Sequence, residues 1–325
     1  MIDVHAHFIP DFYREALEAA GQQSPDGIHR LPDWSEAGAL AMMDELGIRT
    51  AMLSISSPGV HFGDDAAAAT LSRRINEEGA RLVAAYPGRF GLFGVLPLPD
   101  IERSIAEAEY ALDVLKADGV VLETNHHGVY LGDARLDALY AVLDARKAVI
   151  FIHPTSPACA CCAELALGYP RPVLEFMFET TRSVVNMMLS GALDRHQALR
   201  VIVPHAGATL PVLADRVAML TPALSVGNAM SSEHIFELLR RFYYDLAGMP
   251  VPRLLGALLQ IADPDRILYG SDGPFTPLPL IRTLLTQLQS TSLLDENLRR
   301  HVFNDNACQL FPRLMSSDLL SEART

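Results

Sequence analysis

Asp3, His5 and His7 alternate with apolar residues at the start of the chain. In an extended strand, alternate side chains point to the same side, so these three polar groups share one face. Neutral imidazole nitrogen is the commonest protein ligand for zinc and similar metals. The spacing therefore predicts a strand that carries two metal-binding histidines. Two surface histidines on an edge strand are the alternative, and further ligands elsewhere in the chain must decide between them.

Further side chains with useful chemistry lie where other apolar strands are predicted to end. His153 ends the fifth strand, His205 ends the sixth, and Asp272 follows the eighth. The carboxyl ends of the strands of a parallel barrel meet at one mouth, so these residues and the first two histidines can surround one ion. Three imidazoles and one carboxylate suit zinc, with manganese, iron or cobalt as alternatives. Each residue could instead have a purely structural role; Asp272, for example, could cap the helix that follows it.

The elements that must position these residues follow a repeated strand-helix pattern. After the first strand, we predict strands at 50–55, 90–96, 119–123, 148–153, 200–205, 242–246 and 266–271. We predict a helix that Ser35 opens and Gly47 ends, and helices at about 64–85, 101–116 and 136–146. Apolar strands alternating with amphipathic helices indicate a parallel sheet covered by helices. Eight units favour a closed (β/α)8 TIM barrel. The first strand is not followed by a Gly-x-Gly-x-x-Gly motif, which argues against a dinucleotide-binding fold.

We predict one domain over residues 1–325, with three less regular segments. An insertion at about 8–34 follows the first strand, and a second at about 154–180 follows the fifth. Pro, Gly and small residues punctuate both insertions, which we expect to fold over the barrel mouth. The tail at about 313–325 is expected to be peripheral.

Composition limits the partners of this chain. Half of the residues are hydrophobic and 20 % are charged, which is enough for a large core. The net charge of −13 repels phosphate backbones and anionic lipids, so we expect no nucleic-acid or membrane partner. Because the first motif begins at the second residue we expect no signal peptide, and because no apolar run is long enough we expect no membrane-spanning helix. The four cysteines, Cys159, Cys161, Cys162 and Cys308, do not have the spacing of a small secreted disulfide domain, so we expect a cytoplasmic protein with reduced thiols.

Four motifs, taken in order, resemble the signature of the amidohydrolase superfamily. More narrowly, they are similar to its decarboxylase branch, the aminocarboxymuconate-semialdehyde decarboxylase-like proteins, and the likeness extends to about residue 312. Residues 57–65 and 130–133 look most like 6-methylsalicylate decarboxylases. The motifs are Asp3-Val4-His5-Ala6-His7, Phe151-Ile152-His153-Pro154, His205-Ala206-Gly207 and Gly270-Ser271-Asp272, with Phe303-Asn304-Asp305-Asn306-Ala307 similar to the closing motif of the branch.

That resemblance implies roles for individual residues. His5, His7, His153 and Asp272 would hold the metal, and His205 would be a nearby acid or base. It also implies a homodimer. Gly273 departs from the pattern, because these enzymes often place a bulky residue after the aspartate. The shape of the pocket, and with it the identity of the substrate, is therefore not determined by the resemblance.

The number of metal ions follows from the lysines. Many binuclear amidohydrolases bridge their ions with a carboxylated lysine at the end of strand four. The only lysines of this chain, Lys116 and Lys147, are predicted on helices before strands four and five, and strand four ends in Glu123. We therefore predict one divalent ion, most suitably Zn²⁺ with Mn²⁺ possible, unless Glu123 itself bridges two ions.

Two reaction classes could use this site. In the first, the metal orients the carboxylate and neighbouring hydroxyl of a small anionic aromatic or unsaturated acid, such as a 6-methylsalicylate-like hydroxybenzoate. Asp272 or His205 then protonates the ring carbon and carbon dioxide leaves. In the second, metal-bound water attacks a lactone or amide with one of these two residues as base. The likeness outside the site motifs favours non-oxidative decarboxylation. In a non-catalytic scaffold protein we would expect at least one of the metal ligands to be replaced by another residue, and none is replaced.

Weaker candidates surround the predicted centre. His61 and His126 lie in loops that we expect to line the mouth, where they could contact substrate or be ordinary polar loop residues. Arg182 could hold a carboxylate or form a surface ion pair. Asp245 ends strand seven and could orient a metal-bound imidazole from behind, and Glu123 could play a similar supporting part.

Overall fold

The computed structural model describes residues 1–159, 166–227 and 230–315. Within these ranges, eight parallel strands pair in chain order to form one sheet. The sheet closes where backbone atoms after the last strand bond to the first, with Val4 N donating to Tyr269 O at 2.9 Å and Asp272 N to His5 O at 2.8 Å. The predicted (β/α)8 barrel is therefore confirmed. Its strands are β1 (Ile2–His7), β2 (Thr50–Ser54), β3 (Phe90–Val95), β4 (Gly119–Glu123), β5 (Val149–His153), β6 (Arg200–Val203), β7 (Tyr243–Asp245) and β8 (Ile267–Leu268).

Helices cover the outside of the barrel, and a small antiparallel hairpin follows β4, pairing Asn125–His126 with Val129–Tyr130. The helices of the described residues are α1 (Asp11–Ala19), α2 (Glu36–Leu46), α3 (Asp65–Ala85), α4 (Ile101–Glu109), α5 (Asp137–Ala145), α6 (Glu175–Leu189), α7 (Ala192–Arg195), α8 (Leu210–Ala223), α9 (Ser232–Arg241), α10 (Leu254–Ile261), α11 (Leu278–Ser290), α12 (Glu296–Arg300) and α13 (Asn306–Leu310).

Local sequence signals set the helix ends close to where we predicted them. The Ser35 side chain accepts a hydrogen bond from Gly38 N at the start of α2, and Gly47 ends that helix with φ +69°. Asp64 caps α3 in the same way, accepting from Ala67 N at 2.8 Å. These caps fix the helices that follow β1 and β2, and with them the loops that lead into the mouth.

Several predicted bounds need correction. The first insertion contains α1, because Tyr13 and Leu17 lie one turn apart and bury one helix face. β6 ends at Val203, before His205, which has positive φ and leaves the extended conformation, and β8 is shorter than predicted and ends at Leu268.

The expected positions of the lysines and the thiols also change. Lys116 and Lys147 lie just past their helices, with φ +60° and +50°. Cys159 is disulfide-bonded, so the expectation of reduced thiols is wrong for this residue, whereas Cys308 is free and buried. Cys161, Cys162 and most of the predicted tail lie outside the described residues. None of the described helices has the length and apolar character to cross a membrane.

Aromatic side chains fill the barrel beneath the mouth. The rings of Phe93 and Phe151 stack with centroids 5.3 Å apart, and the Phe151 ring lies 4.8 Å from that of His5. Both phenylalanines are buried. This apolar floor excludes water from below, so that the polar side chains at the mouth interact in a low-dielectric environment.

Candidate metal centre at the barrel mouth

The structure brings His5, His7, His153 and Asp272 together at the mouth. Each offers one ligand atom, and these atoms all lie within 4.8 Å of one another. Asp272 Oδ1 lies 3.4 Å from His5 Nε2 and 3.2 Å from His7 Nε2. The three histidines are buried, whereas 18 % of the Asp272 side chain is exposed. The centre therefore opens to the mouth on the side of the carboxylate.

Neighbouring groups hold the outer nitrogen of each histidine. His5 Nδ1 lies 3.0 Å from Asp245 Oδ2, and His7 Nδ1 lies 2.9 Å from the Ser54 hydroxyl. His153 Nδ1 donates to its neighbouring carbonyl, Pro154 O, at 2.8 Å. With the Nδ1 atoms engaged, the Nε2 atoms are left to face the centre, which is the arrangement that supporting groups impose on metal-binding histidines.

The inner nitrogens meet the requirement of a metal site. The Nε2 atoms of His5 and His7 are buried and have no hydrogen-bond partner, although they lie close to Asp272. An unsatisfied buried polar atom costs about 1–3 kcal/mol. A divalent ion between the four side chains would satisfy both nitrogens, and imidazole with carboxylate is a donor set that zinc and manganese accept.

The protonation states also fit metal binding, with one exception. Burial opposes the charge of Asp272, but the nearby imidazoles of His205, His5 and His7 hold its pKa well below the usual range. Burial lowers the pKa of His7, and burial with neighbouring imidazoles lowers that of His153. These residues are in their ligand forms. Burial also disfavours charge on His5, yet Asp245 and Asp272 raise its pKa to about 10, so metal binding there would displace a proton.

Asp3 and Asp245 organise the backbone around the centre. Asp3 Oδ1 accepts from His5 N at 3.1 Å and from Ser271 N at 3.0 Å, which ties β1 to the segment after β8. Asp245 Oδ2 contacts His5, while its Oδ1 accepts from His205 N at 3.1 Å and Ala247 N at 3.0 Å. Asp245 therefore lies behind the centre, where we predicted it.

His205 lies beside the cluster rather than within it. Its Nε2 is 3.8 Å from Asp272 Oδ2, and its ring centroid is 5.0 Å from that of His5. The residue is buried and has φ +56°, and its Nδ1 has no hydrogen-bond partner. Asp272 also has positive φ, at +59°. Left-handed backbone in residues other than glycine is costly, and here it occurs at both candidate proton-transfer groups.

A cavity of about 190 Å³ lies on the β2 to β5 side of the mouth. His61, His126 and Glu123 are among its walls. Its volume is below the ~300–1,000 Å³ of pockets for drug-sized ligands, so it suits a small ligand or one part of it. None of the four clustered side chains lines it, but Thr155, two residues after His153, does.

The weaker candidates occupy different places. His61 Nδ1 lies 2.9 Å from His127 Nε2, and its Nε2 lies 2.8 Å from Asp65 Oδ1. Burial lowers the pKa of His126 to about 3. Arg182 does not line this cavity but a different one, with Gly128 and Tyr130, and 60 % of its side chain is exposed, with Glu179 2.9 Å away.

Glu123 does not join the metal cluster. Its Oε1 is buried without a hydrogen-bond partner, and burial raises its pKa well above the usual range. The backbone of Gly59 lies close to this carboxyl group. A side chain at position 59 would place its Cβ 3.0 Å from Oε1. Burial thus favours the neutral form of this carboxyl group, which lines the cavity and in that form can donate a hydrogen bond.

Sequence reasoning missed three neighbours of the centre. Ser54 ends β2 and contacts His7, and its position as a polar residue after an apolar strand was the signal that could have found it. The Phe275 ring lies 5.4 Å from that of His7, and the Phe176 ring 6.2 Å from that of His153. Both rings belong to segments without a strand-end pattern, so no comparable signal pointed to them.

Comparisons with known proteins find relatives over nearly the whole chain. The model of the amidohydrolase family matches residues 2–313. A 6-methylsalicylic acid decarboxylase from Aspergillus aculeatus is 38% identical, and the match covers 98% of this chain and 97% of that protein. A 6-methylsalicylic acid decarboxylase from Penicillium expansum is 36% identical, with 96% of both chains covered.

Two solved structures extend the comparison to three dimensions. A crystal structure described as amidohydrolase II superimposes with a TM-score of 0.90 at 35% identity, covering 96% of this chain and 99% of that one. A dihydroxybenzoic acid decarboxylase from a Polaromonas species, with bound manganese and the inhibitor 2-nitroresorcinol, superimposes with a TM-score of 0.81 at 26% identity, covering 96% of both chains.

Proposed function

The chain belongs to the amidohydrolase family, and from this premise we propose that it is a metal-dependent, non-oxidative decarboxylase of a small hydroxylated aromatic acid. One observation carries the proposal: Asp272 presents Oδ1 to the clustered histidines and Oδ2 to His205, 3.8 Å away. Loss of carbon dioxide from an aromatic ring requires a proton at the ring carbon. This pair of groups is placed to deliver one beside the metal centre.

We assign the metal to His5, His7, His153 and Asp272, as one divalent ion. Zn²⁺ is our first choice because of the three imidazoles, and Mn²⁺ is the alternative because a related decarboxylase binds it. When bound, the ion would polarise the carboxylate and adjacent hydroxyl of the substrate and hold the ring in place. Asp245 and Ser54 keep the histidines oriented for this purpose.

The proton follows a path of two residues. Asp272 is ionised in the resting site and must first receive a proton before it can donate one. His205 is the neighbour that can supply it through Nε2. Protonation of the ring carbon that bears the carboxylate lets the bond to that carboxylate break. The electron pair of the broken bond restores the aromatic ring, and carbon dioxide leaves.

The substrate class that we propose is a 6-methylsalicylate-like hydroxybenzoate. Two relatives with nearly complete coverage are 6-methylsalicylic acid decarboxylases, and the cavity beside the centre is small. The neutral carboxyl group of Glu123 can donate to an oxygen of the substrate. His61 and His126 would line the ring substituents, whereas Arg182 does not line this cavity and is left out of the proposed substrate contacts.

The test combines metal analysis with product analysis. We expect about one metal per chain by plasma emission spectroscopy, and release of carbon dioxide from 6-methylsalicylate with 3-methylphenol as the second product. In D₂O, the new phenol should carry deuterium at the carbon that lost its carboxyl group.

A matched pair of histidine variants distinguishes loss of the metal centre from a general loss of protein stability. His153→Ala should lose both metal and activity, and His196→Ala, which removes a buried histidine that lies against Tyr140, should keep both. A protein without metal, or one that opens a lactone or amide but releases no carbon dioxide from any hydroxybenzoate, would overturn the proposal.

A further inference from the structure

A second cavity lies beside the metal centre, between the strands β1 and β2 and the helix α2. Its volume is about 390 Å³, compared with about 190 Å³ for the cavity that Glu123 lines. This volume falls within the ~300–1,000 Å³ of pockets that hold small molecules. We call this cavity the α2 pocket. Its larger apolar walls are Trp34, Ala39, Met42, Met43, Leu53 and Leu278.

Two residues that line the α2 pocket also belong to the metal centre or contact it. His7 is one of the four clustered side chains, and Thr276 donates a hydrogen bond of 3.1 Å to Asp272 Oδ2. The same carboxylate oxygen faces His205. The cavity that Glu123 lines includes neither His7 nor Thr276 among its walls. A molecule in the α2 pocket would therefore lie against the supports of the centre, in a place separate from that cavity.

Gly273 keeps the α2 pocket open next to the centre. It lines the pocket directly after Asp272. A Cβ at position 273 would lie 3.2 Å from Met42 Cε and 3.2 Å from Ile281 Cδ1. Both distances are shorter than ordinary carbon contacts, so a larger residue would displace Met42, which is itself a wall of the pocket. The pocket therefore depends on the absence of a side chain at this position.

The walls of the α2 pocket favour a neutral aromatic ligand over an anion. Asp33 and His7 are the titratable residues among its described walls, which include neither lysine nor arginine. Asp33 is paired with Arg30 at the surface. A carboxylate in this pocket would lose water without gaining a cationic partner, which is strongly unfavourable. The thioether side chains of Met42 and Met43, in contrast, make favourable contacts with aromatic rings.

The proposed reaction converts an anion into a ligand of this kind. Its substrate carries a carboxylate, whereas its product is a neutral phenol, because the carboxyl group leaves as carbon dioxide. The walls also include polar groups that suit a phenol hydroxyl. The indole N–H of Trp34 is a hydrogen-bond donor, and the hydroxyl of Thr276 can both donate and accept.

We propose that the α2 pocket binds the neutral phenolic product of the reaction, and that bound product slows the centre through His7 and Thr276. The identity of this ligand, 3-methylphenol, rests on the proposed function. Product in the α2 pocket does not occupy the place of the substrate. It therefore lowers kcat, whereas a product that only competed with substrate would raise KM alone.

Trp34 is the single tryptophan of the chain, so its indole N–H reports on the α2 pocket directly. Protein with isotope-labelled tryptophan should give one indole signal in nuclear magnetic resonance spectra, and 3-methylphenol should shift this signal until the site is saturated. The anion 3-methylbenzoate, with a carboxylate in place of the hydroxyl, should bind at least ~10-fold more weakly. No response to 3-methylphenol, or equal affinity for the two compounds, would overturn the proposal.

Variants that fill the α2 pocket test where the phenol binds. Ala39→Phe places a ring in the pocket from α2 and should raise the dissociation constant of 3-methylphenol at least ~10-fold. The control Ala41→Phe adds the same ring at an exposed position of α2 outside the walls and should bind normally. Leu278→Phe fills the pocket from α11 and provides the test if circular dichroism shows that Ala39→Phe is misfolded. A folded variant with a filled pocket and unaltered binding would contradict the proposal.

Steady-state kinetics test the effect on the centre. Added 3-methylphenol should lower kcat for carbon dioxide release in the original protein and in Ala41→Phe, and this effect should be lost in the filled variant. Purely competitive inhibition of the original protein would overturn the proposal. The titration of Trp34 requires neither metal nor turnover, so the two proposals can fail separately. Binding at Trp34 without any carbon dioxide release would overturn the proposed function and support the site for neutral phenols, whereas release without a Trp34 response would overturn this inference alone.

Discussion

Buried polar groups have partners on one side of the barrel mouth and lack them on the other. We call these the metal side, around the histidine cluster, and the cavity side, around Glu123 and His126. On the metal side, each histidine of the cluster has one nitrogen fixed by a partner, and Asp245 contacts three groups at once. On the cavity side, Glu123 Oε1 and His126 Nε2 are buried with no partner. The metal side is preorganised for one geometry. The cavity side has unsatisfied groups whose charge is suppressed by burial, and these can adapt to the groups that a ligand presents.

Asp272→Asn is the change that should affect activity most. It removes the charge of a proposed metal ligand, which is also the group that we propose protonates the ring. The substitution should lower kcat at least ~1,000-fold, since general acid catalysis alone contributes about 10²–10⁴-fold. Steady-state release of carbon dioxide measures this effect. Asp263→Asn, which alters a helix-capping aspartate before β8, is the control and should have unaltered activity. Activity of the Asp272 variant within tenfold of the original would exclude the proposed role.

Asp245→Asn should have the next largest effect, because it changes a residue behind the centre. The asparagine amide would turn an N–H toward His5 Nδ1 or withdraw its acceptor from His205 N, so one of the two contacts is lost. We expect metal affinity to fall about 10–100-fold, as it does when supporting groups of metal ligands are changed. Competition with a chromogenic chelator measures it. Ser54→Ala removes a neutral partner of His7 and should have a smaller effect. Equal losses in the two variants would contradict the distinction between charged and neutral support.

The sequence predicted the metal side well because strand ends converge for a topological reason. Once eight parallel strands are assigned, His5, His153 and Asp272 must lie at the same end of the barrel. Asp245 could be placed behind them by the same argument, since it ends β7. The barrel itself followed from alternating apolar strands and helices. These predictions depended on periodicity and chain order, which are properties of the sequence alone.

The sequence predicted the cavity side poorly because loop conformation and the rotation of each helix about its axis determine which side chains line the cavity. Arg182 was a candidate for substrate contact, but it is 60 % exposed and does not line the cavity, whereas the ring of Phe176 on the same helix lies 6.2 Å from that of His153. Glu123 was considered as a bridge between metals, yet its carboxyl group is directed at the cavity. The direction of one side chain relative to its helix or strand end depends on tertiary packing, which a motif does not encode.

The buried neutral state of His126 should make stability depend on pH. Its pKa is about 3 in the folded protein against 6.5 for an ordinary histidine, so below pH 6.5 the unfolded chain binds a proton that the folded chain does not. The free energy of unfolding should therefore fall with decreasing pH, by up to ~1.4 kcal/mol per pH unit from this residue between pH 6.5 and 3. Urea unfolding at pH 7, 6 and 5 measures the slope. His126→Gln should reduce it, and His29→Gln, at an exposed position, should not. An unaltered slope in the first variant would mean that His126 does not titrate on unfolding.

Glu123→Gln should have the smallest effect, and for that reason it tests the comparison most sharply. If burial keeps the carboxyl group neutral, glutamine reproduces its shape and its ability to donate a hydrogen bond, and no charge is lost. The variant should keep metal content, and its kcat and KM should stay within about threefold of the original values, because the hydrogen bond is kept; losing it would cost ~0.5–1.5 kcal/mol. Glu123→Ala should raise KM more, because it removes the donor and enlarges the cavity. A large loss of metal in the glutamine variant would show instead that Glu123 is ionised and acts on the centre, and the two sides of the mouth would then form a single electrostatic unit.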